Sequence, residues 1–346
     1  MRKIIISLLS ALVLCSCEQN LPDFPDFDYT AVYFPLQYPI RTLSLGNDEI
    51  DNSLDKQLKF HISVNIGGMY SNNKSWTVDF VVDENLAVNV QNNNGDTILA
   101  LPATYYLLTP VNQVVIPPGS FSGLIEVQLQ DTFLDDSLAY GNHYVIPLRI
   151  TGTSADSILS GEPSEAYSNL DPRVPGEWIT PPKNFTLFGI KYINEYHGIY
   201  LHRGRDIIFD SGNNPVDTVI YRQPYVERDE LWNLSTRGRK IIFTDGIARY
   251  RGAIDGLYKM KLTISENGQI LVESLPGARY AASGTGSYMI DGDQWGGQLR
   301  DVIYLEYEFP DGDKTHHVND TLVFRNRGVH FEEFNPVVTG SESGGK

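Results

Sequence analysis

The chain has 346 residues, 41% of them hydrophobic, and a formal charge of −16 at neutral pH. That length exceeds one small sandwich and suits two domains, while so acidic a surface repels phosphate backbones and anionic headgroups and sets nucleic acid aside as a partner. Both cysteines, Cys15 and Cys17, fall at the N-terminus, so thiol catalysis and Cys-ligated metals are excluded from the remainder.

Arg2 and Lys3 form a basic n-region, and residues 4–14 follow as an apolar run broken only by Ser7 and Ser10, the layout of a secretory signal peptide. The run is too short to span a bilayer as a permanent helix. It ends in Leu14-Cys15-Ser16-Cys17, which resembles a lipobox and predicts removal of residues 1–16 and acylation of Cys17 by palmitate-type chains. Cys15 is the poorer acceptor, because Leu14 would then stand where the peptidase needs a small side chain. Cleavage removes two bases and no acid, which takes the charge to −18. Residues 17–28, acidic and Pro-rich, cannot bury a core and read as a tether. Acidic residues directly after the lipidated cysteine resemble the surface-export signal of Bacteroidota lipoproteins. The expected location is the outer membrane, at the cell surface, with the lipid as the sole membrane attachment.

Residues 29–152 carry the pattern of an immunoglobulin-like β-sandwich. Residues 58–64 alternate apolar and polar side chains, residues 76–82 nearly do, and residues 125–130 form a clean period-two run. Gly67-Gly68, residues 92–96 and Pro117-Pro118-Gly119 punctuate them as turns, and the series closes at residues 144–150. Residues 153–184 lapse into Ser, Gly, Asp and Pro and mark a linker, with Tyr167 and Trp178 available to pack it onto a domain. Residues 185–337 read as a second β domain. Its strands are expected at 196–202, 218–222, 240–244, 257–264, 269–275, 302–309 and 321–325, with turns at 210–214, 266–268 and 311–313. Sequential antiparallel strands joined by tight hairpins predict an up-and-down barrel. Residues 338–346 read as a disordered tail. The fold class is therefore all-β, a sandwich followed by an antiparallel barrel.

For carbohydrate recognition, in which aromatic rings stack on sugar C–H faces and carboxylates take the hydroxyls, the tryptophans matter first. Trp76 lies inside a strand pattern and reads as core. Trp232 follows the polar run 227–231, and Trp295 ends a Gly- and Asp-rich stretch that also holds Tyr288, Asp291 and Asp293. These five are the candidate ligand-binding residues, with ordinary packing as the alternative for both tryptophans. Asp291-Gly292-Asp293 does not continue as a calcium loop, because Trp295 stands where a third oxygen ligand is needed. His316 and His317 would point to opposite faces of a strand, so they read as single surface histidines and no metal site is expected. Five Asp-Ser/Thr-aliphatic tripeptides, with acceptors Thr97, Ser137, Ser157, Thr218 and Thr321, resemble the O-glycosylation motif of exported Bacteroidota proteins. Turn capping at strand entries accounts for the same residues equally well. The sequence holds no Gly-x-Ser-x-Gly elbow, no His-Glu-x-x-His and no Walker loop.

Residues 32–35, 41–46, 115–123 and 144–150, in this order after a lipobox, resemble the N-terminal immunoglobulin-like domain of Bacteroidota surface lipoproteins found with polysaccharide-utilisation systems. Asn194-Glu195-Tyr196-His197-Gly198 and residues 302–307 look like the lipocalin-like C-terminal domain often attached to it. The resemblance implies a spacer that lifts a working barrel off the membrane, and it brings no catalytic motif and no cofactor. The expected function is non-catalytic binding of a glycan or glycoprotein ligand beside an outer-membrane transporter complex. Two alternatives stand beside it: a glycan-cleaving hydrolase with acids at the barrel mouth, and a structural or adhesive surface protein whose sheet edges pair with a partner.

Overall fold

A computed structural model describes residues 27–47, 50–251 and 253–339. The signal segment, Cys17, the tether up to residue 26 and residues 340–346 lie outside the described residues.

The chain first lays down fourteen strands: β1 (Ala31–Tyr33), β2 (Pro39–Ser44), β3 (Lys59–Gly67), β4 (Trp76–Val82), β5 (Val90–Gln91), β6 (Thr97–Ala100), β7 (Tyr106–Thr109), β8 (Gln113–Ile116), β9 (Ser122–Leu129), β10 (Tyr144–Thr153), β11 (Ser157–Ile158), β12 (Glu162–Pro163), β13 (Trp178–Thr180) and β14 (Phe185–Ile193). One sheet runs β11-β1-β3-β9-β7. In the other, β2, β14 and β10 lie side by side, and the far edge of β10 is shared by β6 and β4. Strict alternation explains the packing. Phe60, Ile62, Val64 and Ile66 of β3 all point inward, and they meet Trp76, Val78, Phe80, Ile146, Leu148 and Ile150 from the opposite sheet in one core. Each such side chain contributes roughly 1.5–3 kcal/mol by leaving water.

The second sheet is buried on both faces. Val145, Phe185 and Leu187 form a satellite core with Ile40, Leu86, Val90, Ile98 and Phe334 on the side away from the sandwich interior. Double burial accounts for the near-continuous apolar runs at residues 144–148 and 185–193, where alternation fails.

The barrel follows as β15 (Gly198–Phe209), β16 (Pro215–Tyr221), β17 (Glu230–Gly238), β18 (Ile241–Tyr250), β19 (Ala253–Ile264), β20 (Gln269–Ser274), β21 (Ser283–Trp295), β22 (Gln298–Asp311) and β23 (Lys314–Asn326). Antiparallel pairing runs from β15 through β17 to β23, and β23 returns to β15 along its whole length, from Ile199↔Asn326 to Phe209↔Thr315. The result is a closed eight-stranded antiparallel barrel. Strand β16 stands outside that circuit. β17 pairs with residues 198–202 of β15, and β16 takes the same edge at residues 204–209.

The domain borders differ from the sequence expectation. Residue 185 was expected to open the barrel, yet Phe185–Ile193 is hydrogen-bonded to β10 on one edge and β2 on the other. The supposed linker supplies β11, β12 and β13. After the barrel the chain returns to the sandwich, where β24 (Glu332–Glu333) pairs with β2 and β25 (Val337–Val338) pairs with β5. The barrel is thus inserted between two strands of the same sheet. At the crossing, the buried Arg327 guanidinium donates to the carbonyls of Asn47, Glu195 and His197 at 2.5–3.1 Å. On the surface, Arg239 of the barrel grips Asp131 and Asp135 of the sandwich.

Candidate functional site

The densest gathering of titratable side chains lies inside the barrel. Even-numbered residues of β15, β17 and β23 and odd-numbered residues of β22 face inward, which brings His202, Asp206, Glu230, Tyr307, His316 and Asp320 into the interior. His202 is the hub. Its Nδ1 lies 2.6 Å from Glu230 Oε1, its Nε2 lies 3.0 Å from Asp320 Oδ1, and its ring stacks on Trp232 at 3.7 Å. The Asp320 contact has ion-pair distance but not hydrogen-bond alignment.

The neighbours add further partners, although His202 Nε2, Asp206 Oδ1 and His316 Nε2 are buried without a hydrogen bond among the described residues. Arg249 donates to Glu230 at 2.5 Å and lies 4.0 Å over the Tyr221 ring. The Tyr221 and Tyr307 hydroxyls both bind Asp320, and Tyr258 and Tyr307 share a hydroxyl–hydroxyl bond of 2.8 Å. Deeper along β23, His316 Nδ1 lies 2.7 Å from Asp206 Oδ2 and the imidazole stacks on Phe309. Burial works against a charged His202, but Asp320 and Glu230 outweigh it and raise its pKa. Burial likewise works to raise Glu230, yet His202 and Arg249 prevail and hold its carboxyl below the usual range. Burial raises the pKa of Tyr258 and Tyr307, and Asp320 adds to it, so these phenols stay neutral donors. Glu230 and Asp320 thus face His202 and Arg249, which sets groups of opposite charge against each other inside the wall.

A different environment lies on the sandwich. A cleft of about 570 Å³ is bounded by Tyr29 and Tyr33 with Ser157–Ser160 on one side and Glu162, Thr180, Pro181 and Lys183 on the other. Its walls are tied together. Thr30 binds Asp156 Oδ2 through both its amide and its hydroxyl, at 2.8 and 2.7 Å, and β1 pairs in parallel with β11. Leu159 N donates to Val32 O, Lys183 N to Leu159 O and Phe34 N to Lys183 O. Gly161 makes the turn between the walls at φ +81°, where a Cβ would meet the Thr180 carbonyl at 2.7 Å. Tyr29 is 54% exposed, and Glu162 and Lys183 are exposed as well.

Residues 27–157 match a family model described as an N-terminal domain, and residues 195–328 match one described as a domain of unknown function, DUF5627. A Bacteroides ovatus protein of unknown function, solved by structural genomics, is 35% identical over 90% of this chain and 100% of its own, with a TM-score of 0.81. This chain belongs to the same family as that protein. Its context is therefore that of Bacteroidota proteins with two all-β domains. Two further Bacteroides ovatus crystal structures align at 14% and 13% identity over 88% and 87% of this chain and 99% and 97% of theirs, with TM-scores of 0.43 and 0.42. The first is of unknown function and the second is a multidomain protein including DUF1735. No curated protein matches the chain. The DUF5627 match brackets β15 to β23, the same segment that the sandwich sheet leaves out.

The five candidate ligand residues do not form one site, although the Tyr288 hydroxyl and the Asp291 amide both donate to the Asp301 carboxylate. Trp232 is not in a loop: it faces the barrel core from β17, 5% exposed. Trp295 is half-buried on the outer wall beside Leu201, Val302 and Val323, its Nε1 donates to Phe324 O at 2.8 Å, and Arg300 covers its ring at 4.5 Å. Tyr288 turns inward, donates to Asp301 Oδ2 at 2.6 Å and meets Tyr196 edge-on. Asp291 and Asp293 lie where the β21–β22 ladder shifts register, Asp291 with φ +54°. The stretch around them was expected to be a loop and is instead strand β21. Its glycines serve close approach: a Cβ on Gly284 would lie 2.2 Å from Glu306 O on the next strand.

His317 is exposed as expected, but His316 is a correction, wholly buried inside the barrel near the β22–β23 hairpin because its neighbour on the strand faces out. Among the described residues no group of three His, Cys, Asp or Glu side chains could hold a metal ion, and no helix is long and apolar enough to cross a membrane. Of the candidate glycosylation acceptors, Thr97, Ser137 and Thr218 are exposed, whereas Ser157 and Thr321 are half-buried in strands. The residues that sequence reading missed are His202, Glu230, Arg249 and Asp320. The only signal for them was polar residues at inward positions of otherwise alternating strands.

Proposed function

We propose that this protein is a lipid-anchored Bacteroidota surface lipoprotein that holds glycans without cleaving them, close to an outer-membrane transporter complex. The observation that carries this reading is a contrast in availability. The carboxylates inside the barrel are bound to cations and phenols, and those that share a partner, Glu230 with Asp320 and Asp206 with Asp311, have an imidazole between them. A hydrolase needs two acids facing each other across space for a sugar and a water. Accessible rings beside unbonded polar groups, which suit sugar binding, occur instead on the sandwich surface.

The lipocalin-like barrel then serves as a rigid body rather than a ligand cup. Export and anchoring follow from Cys17: a Cys17→Ser chain should leave the membrane fraction, and the wild-type protein should be cleaved by protease added to intact cells. Exposed Thr97, Ser137 and Thr218 are the acceptors to examine for O-glycans by mass spectrometry of the exported protein. Glycan capture is tested by affinity electrophoresis and calorimetry on soluble plant and host polysaccharides, with reducing ends assayed in parallel. Retarded migration without new reducing ends is the expected result. Release of reducing ends would replace this reading with hydrolysis, and indifference to every glycan would leave the adhesive alternative.

A further inference from the structure

We infer that the cleft between β1/β11 and the β12–β13 pair is a binding subsite for a neutral saccharide. The assignment rests on the glycan-binding reading above and names the place and the ligand class. Four observations meet there. First, the volume of about 570 Å³ falls inside the roughly 300–1,000 Å³ of ordinary small-molecule sites, enough for a short oligosaccharide. Second, two phenol rings, Tyr29 and Tyr33, border the same opening, and Tyr29 is more than half exposed. An exposed ring at the lip of a cleft provides the apolar face on which sugar C–H groups stack, with a hydroxyl at its tip that can also bond.

Third, the charged groups at the rim are unengaged, and of the described hydroxyls only that of Ser157 makes a bond, a long one of 3.4 Å to Ile158 O. Among the described residues Lys183 and Glu162 have no ion-pair partner, in a molecule where most buried or half-buried cations are paired with a carboxylate. An ammonium donates to ring and hydroxyl oxygens, a carboxylate accepts from hydroxyls, and Ser157, Ser160 and Thr180 can do both. One positive and one negative group together favour a polyol without net charge over a uronate or a sulfated sugar, for which Glu162 and the overall charge of −16 are repulsive. Fourth, the walls are preformed by the Thr30–Asp156 clasp, the parallel β1–β11 pairing and the Gly161 turn, so little ordering cost falls on binding.

The test uses the full mature protein and calorimetry against neutral gluco-, manno-, xylo- and galacto-oligosaccharides, with polygalacturonate as the acidic comparison. For whichever neutral ligand binds, Tyr29→Ala and Glu162→Gln should each weaken binding by about tenfold or more while thermal unfolding stays as in wild type. Tyr29 and Glu162 lie on the surface, so their loss leaves the fold intact. Trp295→Ala should bind as wild type does. If a glycan binds and both cleft variants retain full affinity, the cleft assignment falls and glycan binding stands. If only polygalacturonate binds, the neutral-ligand assignment falls. If nothing binds, both fall together.

Discussion

The barrel and the sandwich use polar residues in opposite ways. In the barrel, His202, Glu230, Arg249, Asp320 and three tyrosines are gathered together and bond mainly to one another. In the sandwich, the central core is apolar, buried polar side chains such as Asp55, Asn72 and Glu177 lie around its margins, and Glu162 and Lys183 stand exposed at the rim of the cleft without an ion-pair partner among the described residues. The lesson concerns where chemistry is to be sought. A dense titratable cluster draws attention, yet a cluster that closes on itself has little left for a ligand, while a sparse rim with unengaged groups has much. Four measurements break or sharpen this contrast.

The largest effect is expected at Trp232. Its ring packs among Tyr200, Leu234 and Met260 and stacks on His202, so Trp232→Ala should cost about 3–5 kcal/mol in chemical denaturation. Glycan affinity, measured under conditions where the variant is folded, should be untouched. A loss under about 1 kcal/mol would mean that the ring is not core and would reopen the barrel as a binding cup.

Trp232 also shows what could be read in advance. Strands with strict alternation, such as residues 58–64 and 125–130, were legible because one face is apolar and the other more exposed. β17 was not, because Glu230 and Thr236 place polar side chains on the inner face and Asn233 and Ser235 soften the outer one. β14 and β10 were blurred for the reverse reason, since burial on both faces removes the alternation that separates strand from core. The polar network itself was illegible. Its members are 118 positions apart from His202 to Asp320, and only closure of β23 onto β15 unites them. The cleft residues were equally invisible, because Tyr29, Ser160 and Lys183 come together through the return of a segment that read as linker.

Next in size is Arg327, which joins the two regions. Arg327→Ala leaves the carbonyls of Asn47, Glu195 and His197 without their donor in a buried crossing, at a cost of about 2–4 kcal/mol. Scanning calorimetry should then show separate barrel and sandwich transitions where the wild type shows one. Arg327→Lys should restore little, since an ammonium cannot reach three carbonyls with a planar fork. A single unshifted transition in both variants would show that β24 and β25 suffice to couple the domains.

Smaller again is the pH response. His202 has its pKa raised in the folded state, so its contribution is complete below the unfolded value near 6.5 and is lost as pH rises through the folded value. Barrel stability should therefore decline on the alkaline side, and His202→Gln should flatten that decline. His197 shifts oppositely, lowered to about 4 by burial and then by Arg327, so it withdraws stability as pH falls from about 6.5 toward 4. A profile in His202→Gln that still falls on the alkaline side would place the titration elsewhere.

The smallest effect belongs to Arg239, and it separates buried from exposed connections between the domains. Its guanidinium meets Asp135 at 2.5 Å and Asp131 at 2.8 Å, about as close as the interior pairs, yet both carboxylates are mostly in water. Solvent screens such contacts and side-chain entropy offsets them, so Arg239→Ala should cost no more than about 1 kcal/mol. High salt should erase the difference from wild type, because screening shortens to about 3 Å at 1 M. The Arg327→Ala deficit should persist in the same salt, since water and ions do not reach the carbonyls it leaves behind. If the two variants instead lose stability equally and respond alike to salt, the crossing at Arg327 is as wet as the surface clasp, and the barrel and sandwich are held by charge rather than by a buried joint.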